Sequence, residues 1–459
     1  MAAFHALPLK PALLASVQTL GYTEMTPIQA QSLPPMLAGR DVIAQAQTGS
    51  GKTAAFGLRI LQALDVDSIR LQALVLCPTR ELADQVSKTI RKLAANIPNV
   101  KVLTLCGGMP LGPQLASLTH DPHIVVGTPG RVQEHLKRQS LHGGGIKVLV
   151  LDEADRMLDM GFTDAIDDII GRIAKHHQTL LFSATYPDEI RAVSQRVQND
   201  PVEVTVDAPA GEQPAIEQRF HEVEPAQKPD ALAQLLVGTQ AGQALVFCNM
   251  RREVDALAQE LDRRGFSALA LHGDMEQRDR DEVLVRFANH SCAVLVATDV
   301  AARGLDIVAL PLVVSYDIAH DPETHTHRIG RTGRAGQTGL AITLCTPRER
   351  PKAANIEEQS GTPLPWRPLK IAPPRGKTLH LAPMKTLVID ASRQDKLRPG
   401  DILGALTGDA GLEAKDIGKI DVFATRAYVA ITRAQATRAL ERLRAGRIKG
   451  RNFRVRALA

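Results

Sequence analysis

The chain has 459 residues and a formal net charge of +5, with 44% hydrophobic and 23% charged residues, which excludes a wholly disordered, collagen-like or coiled-coil protein. At about 150 residues per domain, this length predicts roughly three domains. No apolar stretch approaches the roughly 18 residues of a membrane helix, no secretory signal is recognisable, and the five scattered cysteines never form a Cys-x-x-Cys pair. We therefore expect a cytoplasmic globular protein with no disulfide framework and no cysteine-rich zinc site.

Short aliphatic runs alternate with helical patterns in the first block, which we predict to span residues 1–206. Four such runs lie at residues 73–77, 124–126, 147–151 and 179–182. Each run is followed by polar, Gly or Pro residues and then by a longer helical pattern, which is typical of a parallel sheet covered by helices. The breaker-rich segment 207–213 is expected to be a linker.

The same alternation returns in a second block, predicted to span residues 214–360. Its aliphatic runs lie at residues 243–247, 267–271, 293–297 and 312–315. The sequence therefore predicts two tandem α/β domains, each with a parallel sheet. A Pro-dense stretch follows, and we expect residues 361–383 to form an extended connector.

The last block, residues 384–459, has a different order of elements. Its pattern predicts strands and helices at residues 385–389 (strand), 399–406 (helix), 417–422 (strand), 426–431 (strand), 434–443 (helix) and 453–456 (strand). This βαββαβ order is expected of a small α+β RNA-recognition-like domain.

Basic residues are concentrated in the same block. Residues 375–459 contain 18 Lys and Arg against 8 Asp and Glu, whereas the other 374 residues contain 37 against 42. Such a basic segment indicates nucleic-acid binding, and a solvated basic helix face is the alternative.

A glycine-rich loop between a strand and a helix is the clearest candidate site in the first block. Residues 46–53 follow the apolar residues 42–44 and open a helical pattern. Backbone N–H groups of such a loop close around phosphate oxygens, and the helix N-terminus adds positive potential. A plain glycine-rich turn is the alternative. We predict that ATP is bound by Ala46, Gln47, Thr48, Gly49, Ser50, Gly51, Lys52 and Thr53.

Carboxylates after the aliphatic run 147–151 complete this site. Lys52 is placed to reach the β and γ phosphates, while Thr53 and Asp152 are placed to ligate Mg²⁺. Glu153, one residue further on, is predicted to activate the attacking water. A solvated turn or a helix N-cap is the alternative for these acidic residues, and Lys52 upstream in the same block argues against it.

Lys52 together with residues 152–155, Asp-Glu-Ala-Asp, makes the chain resemble the DEAD-box RNA helicases of superfamily 2. The resemblance covers about the first 350 residues, and it implies two tandem RecA-like domains, ATP and Mg²⁺ as cofactors, and RNA-stimulated ATP hydrolysis. Residues 21–29 resemble the family's Q motif. In that motif Gln29 would read the adenine edge, with Tyr22 and Phe4 as the nearby aromatic side chains.

Further segments follow in the order that this family shows. They lie at residues 78–82, 107–108, 128–131, 183–185, 246–249, 277–280, 297–306 and 327–334. The resemblance implies that RNA is contacted by Arg80, Gly108, Thr128, Arg131, Arg280, Thr298 and Arg303, and bridging to ATP is the alternative for Thr298 and Arg303. It implies that hydrolysis is coupled to unwinding by Asp155, Ser183, Thr185 and His327. It also places Asp306 at the ATP ribose.

Glycines interrupt a basic run at residues 327–334, so guanidinium groups there can approach a phosphate closely. Arg331 and Arg334 are the predicted arginine fingers, and a basic RNA-facing loop is the alternative. Because these arginines and the phosphate loop lie in different blocks, ATP is fully surrounded only when the two domains close. RNA lying across both domains would favour the same closed state. For Asp299, the N-cap of a helix over residues 300–303 is the alternative to a functional role.

The last block resembles the C-terminal domain of a ribosomal-RNA-specific branch of these helicases. The resemblance implies binding to a hairpin of 23S ribosomal RNA (rRNA) and a role on precursors of the large ribosomal subunit. In the predicted strand 426–431, Tyr428 is the single aromatic residue, so base stacking on the sheet face is not favoured. Tyr428 is either an RNA-stacking residue or part of the hydrophobic core. We predict that RNA is contacted by Arg393, Lys396, Arg398, Lys415, Lys419, Arg447, Lys449 and Arg451.

The leading hypothesis is an ATP-dependent RNA helicase with no obligate protein partner. An ATP-gated RNA clamp or scaffold with little unwinding is the alternative, and the presence of Glu153, Arg331 and residues 183–185 argues against it. A DNA translocase is disfavoured by the Q-motif resemblance. Since aromatic residues make up only 3% of the chain, we expect the core to grip the RNA backbone rather than to stack on bases.

Overall fold

The computed structural model describes residues 3–46, 49–186, 188–206, 216–302, 310–333, 338–371, 381–408, 411–423 and 425–458. The described residues before residue 207 form one compact unit, and those from residue 216 onward form a second. Within the described part of the chain, no helix is long and apolar enough to cross a membrane.

The first unit is built around a parallel sheet whose described strands lie in the order β3-β4-β2-β5-β6-β1-β7. The strands are β1 (Val42–Gln45), β2 (Ala73–Leu76), β3 (Val102–Leu105), β4 (Ile124–Gly127), β5 (Val148–Asp152), β6 (Gln178–Ser183) and β7 (Val202–Thr205). The helices are α1 (Pro11–Thr19), α2 (Pro27–Leu37), α3 (Lys52–Ala63), α4 (Arg80–Leu93), α5 (Leu111–Ser117), α6 (Pro129–Lys137), α7 (Ala154–Asp159), α8 (Thr163–Gly171) and α9 (Asp188–Val197).

The central strands of this sheet are buried on both faces, which explains their continuous aliphatic sequences. Successive side chains point to opposite faces: Leu74 and Leu149 belong to one hydrophobic cluster, and Val75 and Val150 to the other. Because β1, β5 and β6 are neighbours and run parallel, the residues that follow them meet at one edge of the sheet. Ligands of open parallel sheets bind at that edge.

The second unit contains a second parallel sheet, with described strands in the order β10-β11-β9-β12-β13-β8. The strands are β8 (Ile216–Glu222), β9 (Ala244–Phe247), β10 (Ala268–Leu271), β11 (Val294–Ala297), β12 (Leu312–Ser315) and β13 (Gly339–Cys345). The helices are α10 (Lys228–Gly238), α11 (Arg251–Arg263), α12 (Gln277–Ala288), α13 (Asp299–Ala302), α14 (Pro322–Ile329) and α15 (Arg350–Ser360).

The C-terminal part of the second unit is an antiparallel sheet with helices on one face. Its elements are β14 (Met384–Ile389), α16 (Pro399–Thr407), β15 (Ile417–Val422), β16 (Ala427–Thr432), α17 (Ala436–Ala445) and β17 (Val455–Ala457), with strand order β15-β16-β14-β17. The predicted βαββαβ order is confirmed, and so is the fold class of two parallel-sheet α/β domains followed by a small α+β domain.

The described residues at the start of the predicted connector pair with β8. The backbone N–H of Phe220 in β8 donates to the carbonyl of Pro365 at 3.1 Å, and the N–H of Arg367 donates to the carbonyl of Phe220 at 2.8 Å. The Trp366 ring lies 5.5 Å from the Phe220 ring, centroid to centroid. The first part of this extended segment therefore follows the edge of the second parallel sheet.

Candidate ATP and RNA sites

The phosphate loop lies between β1 and α3. Gly51 precedes α3 with a left-handed φ of 94°, and a Cβ added to it would come 2.6 Å from Nε2 of Gln29, so only glycine fits there. The N–H of Ala46 donates to the carbonyl of Ser183 at 2.9 Å, which ties the start of the loop to β6. Of the predicted loop residues, Gln47 and Thr48 lie outside the described residues.

Asp152 ends β5 at this same edge. Nζ of Lys52 lies 3.1 Å from Oδ1 of Asp152 and 4.0 Å from Oε1 of Glu153, and all three side chains are buried. Burial lowers the pKa of Lys52, but Asp152, Glu153 and Asp155 together raise it by more, so the net shift is upward. The site therefore keeps a positive charge on Lys52 next to its two acidic residues.

Several polar atoms of this site have unused hydrogen-bonding capacity. Among the described residues, the buried Oγ of Ser50 has no hydrogen-bond partner, and the ammonium of Lys52 and the carboxylate of Asp152, which pair at 3.1 Å, have donor and acceptor capacity beyond that one contact. Buried polar groups are normally satisfied. An ammonium and a hydroxyl suit phosphate oxygens, and a carboxylate suits Mg²⁺, so this donor and acceptor set fits a magnesium-bound triphosphate.

Asp155 joins this site to residues 183–185. Its Oδ2 accepts hydrogen bonds from the N–H of Ala184 at 3.1 Å, the N–H of Thr185 at 3.1 Å and the hydroxyl of Thr185 at 3.2 Å. The hydroxyl of Ser183 accepts from the N–H of Asp155 at 3.3 Å. The structure thus brings together Asp155, Ser183 and Thr185, which the sequence assigns to coupling.

The Q-motif residues differ in their surroundings. Oε1 of Gln29 accepts from the N–H of Thr26 at 2.9 Å, and Nε2 of Gln29 donates to the carbonyl of Gly51 at 3.0 Å. Gln29 therefore lies against the phosphate loop. Phe4 is buried in the hydrophobic core of the first unit, while Tyr22 is exposed.

The predicted RNA contacts of the first unit gather where β2, β3 and β4 end. The guanidinium of Arg80 lies against Gly108, leaving no space there for a Cβ, and its Nη1 is buried without a hydrogen-bond partner in the described part of the chain. The hydroxyl of Thr128 accepts from the N–H of Gly107 at 3.2 Å. Nη1 and Nη2 of Arg131 both donate to the carbonyl of Met109 at 3.0 Å. Together these groups form one basic, partly buried cluster.

Two predicted contacts of the second unit follow neighbouring strands. Nη1 of Arg280 donates to the carbonyl of His272, directly after β10, at 3.3 Å. Thr298, directly after β11, accepts from the N–H of Ala301 at 3.4 Å through its hydroxyl. His327 lies in α14, and Arg331 is buried just beyond that helix. The remaining predicted residues of this unit, Arg303, Asp306 and Arg334, lie outside the described residues.

Arg328 is an organising residue that sequence analysis missed. Its side chain is buried, and Nε and Nη2 form a bidentate pair with the carboxylate of Asp299 at 2.7 Å each. Nη2 also donates to Oδ1 of Asn249 at 2.6 Å, and Nη1 donates to the carbonyl of Asp317 at 2.5 Å. One guanidinium therefore links three of the motif segments. The sequence offered one indication: Arg328 carries a permanent charge that must be paired if it is buried, and Asp299 is an acidic residue of another motif segment that could pair with it.

The eight basic residues predicted as RNA contacts in the C-terminal domain are all exposed. The loops that follow β14 and precede β17 lie side by side, since Nζ of Lys449 donates to the carbonyl of Lys396 at 2.8 Å. They carry most of the set, namely Arg393, Lys396, Arg398, Arg447, Lys449 and Arg451. Lys415 and Lys419 lie near acidic neighbours, with nitrogen–oxygen distances of 2.7 Å to Glu413 and 3.4 Å to Asp421.

The outer face of the C-terminal sheet packs on the second parallel-sheet domain. Val388, Tyr428 and Leu458 form a buried cluster with Val285 of α12. The hydroxyl of Thr386 accepts from Nδ2 of Asn289 at 2.9 Å and donates to Oγ of Ser291 at 2.9 Å.

Tyr428 is consequently 5% exposed, and its core position, one of the two sequence interpretations, is confirmed. Burial raises the pKa of its hydroxyl, and Glu282 of α12 raises it further. Since the other face of β14 and β16 packs on α16 and α17 through Leu387, Val429 and Ile431, both faces are covered. This explains the continuous apolar sequences of these strands.

Comparison with known proteins gives the class of protein. Residues 26–193 match the DEAD/DEAH box helicase family, residues 227–336 match the helicase conserved C-terminal domain, and residues 386–457 match the DbpA RNA binding domain. The chain belongs to the DEAD-box ATP-dependent RNA helicases and carries the DbpA-type RNA-binding domain. It is an ATP-hydrolysing enzyme that binds RNA.

Individual relatives agree with this class. The ATP-dependent RNA helicase DbpA of Escherichia coli (strain K12) is 53% identical over 461 residues, covering 100% of both chains. The DEAD-box ATP-dependent RNA helicase CshA of Bacillus subtilis (strain 168) is 44% identical over 355 residues, covering 77% of this chain and 72% of the relative. Among solved structures, S. cerevisiae Dbp5 bound to RNA and ADP BeF3 is similar with a TM-score of 0.71 and 30% identity, covering 80% of this chain and 96% of that one.

Proposed function

We propose that the chain binds ATP with Mg²⁺ on its first domain and hydrolyses ATP as its two parallel-sheet domains close on RNA. The observation that carries this proposal is the buried group of Ser50, Lys52 and Asp152: Lys52 and Asp152 form an ion pair at 3.1 Å, and Oγ of Ser50 has no hydrogen-bond partner among the described residues. The ammonium and the carboxylate can each bind further partners, and a bound ligand that supplies them stabilises the site. Phosphate oxygens and a divalent cation have the matching chemistry.

Each residue of this site then has one task. Lys52 neutralises phosphate charge, and Thr53 and Asp152 hold Mg²⁺, which supplies further charge stabilisation. Glu153 accepts the proton of the attacking water. Arg331 and Arg334 complete the site from the second domain. Contacts to the adenine and the ribose are assigned to Phe4, Tyr22, Gln29 and Asp306.

In this proposal the two parallel-sheet domains bind the sugar-phosphate backbone of RNA. Arg80, whose buried Nη1 beside Gly108 has no hydrogen-bond partner within the described part of the chain, is the strongest candidate for a phosphate contact, supported by Thr128 and Arg131. The second domain contributes Arg280, Thr298 and Arg303. Backbone contacts carry no sequence information, so the core alone would act on many RNAs.

Selectivity is assigned to the C-terminal domain. We propose that it addresses the helicase to a hairpin of 23S rRNA in cytoplasmic precursors of the large ribosomal subunit. Its buried sheet face and its two adjacent basic loops support this proposal, because the sheet face is covered and the loops present exposed arginines and lysines to a shaped RNA. The proposed domains are residues 1–206, 214–360 and 384–459, joined by segments 207–213 and 361–383.

The test is an ATPase assay on the full chain, stimulated separately by a 23S rRNA hairpin fragment, poly(A) and duplex DNA. We expect strong stimulation by the hairpin fragment, weak stimulation by poly(A) and none by duplex DNA. The Glu153→Gln variant should bind ATP and RNA but hydrolyse slowly. Equal stimulation by hairpin and poly(A) would refute the selectivity assigned to the C-terminal domain. Normal turnover in Glu153→Gln would refute the assignment of Glu153 as the base.

A further inference from the structure

Arg156 is a buried charge beside the ATP site that none of the assigned roles uses. It lies in α7, its side chain is 3% exposed, and its Nη1 donates to Oε2 of Glu153 at 2.9 Å. A guanidinium remains charged at every pH that proteins tolerate. Its complete burial therefore requires a compensating anion, and Glu153 supplies one.

The two carboxylate oxygens of Glu153 face different cations. Oε2 is held by Arg156, whereas Oε1 lies 4.0 Å from Nζ of Lys52, on the side of the phosphate loop. If Lys52 turns to a phosphate, as its proposed role requires, the contact between Arg156 and Oε2 of Glu153 is retained. The carboxylate would then keep one oxygen anchored and direct the other towards the phosphate loop.

The backbone makes this arrangement rigid. Glu153 has left-handed dihedrals, φ 54° and ψ 54°, which cost free energy in a non-glycine residue and persist only where the surroundings hold them. The N–H of Arg156 donates to the carbonyl of Glu153 at 3.1 Å and to Oδ1 of Asp155 at 3.0 Å. Arg156 is thus fixed between the water-activating carboxylate and the aspartate that binds residues 183–185.

We propose that Arg156 is a positioning residue that holds Oε2 of Glu153 so that Oε1 accepts the proton of the attacking water. This inference rests on the proposed role of Glu153 as the base. A carboxylate released from this anchor would turn away from its productive geometry, and a misplacement of about 1 Å can cost about 10²-fold in rate. Nucleotide affinity depends on the phosphate loop and should change little.

The experiment measures RNA-stimulated ATP hydrolysis of the full chain for Arg156→Gln, Arg156→Lys, Glu153→Gln and the double variant Glu153→Gln/Arg156→Gln. Arg172→Gln is the matched control. Arg172 directly follows the neighbouring helix α8, pairs with Asp168 of that helix at 3.0 Å, and has a side chain that is 42% exposed. We expect Arg156→Gln to lower kcat by about 10- to 100-fold with KM for ATP nearly unchanged. Arg156→Lys should recover part of the loss because it restores the charge but not the guanidinium geometry.

The double variant separates positioning from a purely structural role. If Arg156 acts through Glu153, adding Arg156→Gln to Glu153→Gln slows hydrolysis no further. A wild-type kcat in Arg156→Gln, or an equal factor lost in both backgrounds, overturns the inference. If Arg156→Gln does not fold, Arg156→Lys carries the test, and a wild-type kcat in that variant refutes the anchor. A normal rate in Glu153→Gln would instead refute the base itself.

Discussion

Replacing Arg328 by Met should destabilise the second unit strongly, because four hydrogen bonds from this buried guanidinium join Asn249, Asp299 and Asp317. Removing one partner of a buried ion pair typically costs about 3–5 kcal/mol. Since the side chain of Asp299 is 17% exposed, water can partly replace the lost partner, and we expect about 3 kcal/mol. At an m value of about 2 kcal/mol/M, this lowers the urea midpoint by about 1.5 M.

The assay can use the single tryptophan of the chain. Trp366 packs on the buried Phe220 of β8, with ring centroids 5.5 Å apart, so its fluorescence reports unfolding of the unit that contains Arg328. The control is Arg251→Met, because the Arg251–Asp274 pair has both side chains 62% exposed and should contribute at most about 1 kcal/mol. A shift for Arg328→Met no larger than that of the control would refute the reasoning.

Three further predictions concern the sites. Arg331→Ala should leave ATP affinity nearly unchanged but slow RNA-stimulated hydrolysis by about 10³- to 10⁵-fold, the range of arginine fingers; a normal rate would refute that role. Gly51→Ala should abolish nucleotide binding in a fluorescent ATP titration, since the new Cβ would lie 2.6 Å from Gln29, and wild-type affinity would contradict this. Arg393→Ala/Arg447→Ala should weaken binding to a 23S rRNA hairpin more than Lys415→Ala/Lys419→Ala, because the two lysines have acidic neighbours. The arginine variant should also reduce the slope of log affinity against log salt concentration by about 0.7–0.9 per lost contact. Equal losses of affinity in the two variants would contradict this ranking.

The parts of the fold that the sequence predicts are those with strong local patterns. β2, β5, β9 and β11 are buried on both faces and carry unbroken aliphatic runs, so their positions are predicted to within about two residues. The strands that escape prediction are mostly edge strands. β8, with mainly polar side chains and partial burial, has no sequence pattern that separates it from a loop.

The candidate site shows the same division. Lys52 and Asp152 could be predicted because their chemistry follows from a strand, a loop and a helix in sequence order. The burial of Arg156 and Arg328, and the covered outer face of the C-terminal sheet, depend instead on tertiary packing. The side-chain hydrogen bond between Asn289 and Thr386, for example, joins residues 97 positions apart, and no local sequence pattern predicts it.

The central claim is that the chain unwinds RNA under the direction of its C-terminal domain. Its most direct test is single-turnover unwinding of two RNA duplexes that are identical except that one carries the 23S rRNA hairpin in a flanking strand. We expect ATP-dependent strand separation of the hairpin-bearing duplex, little separation of the other, and loss of the difference in Arg393→Ala/Arg447→Ala. Equal unwinding of both duplexes would contradict targeting by the C-terminal domain. ATP-dependent binding without strand separation would show an RNA clamp instead of a helicase.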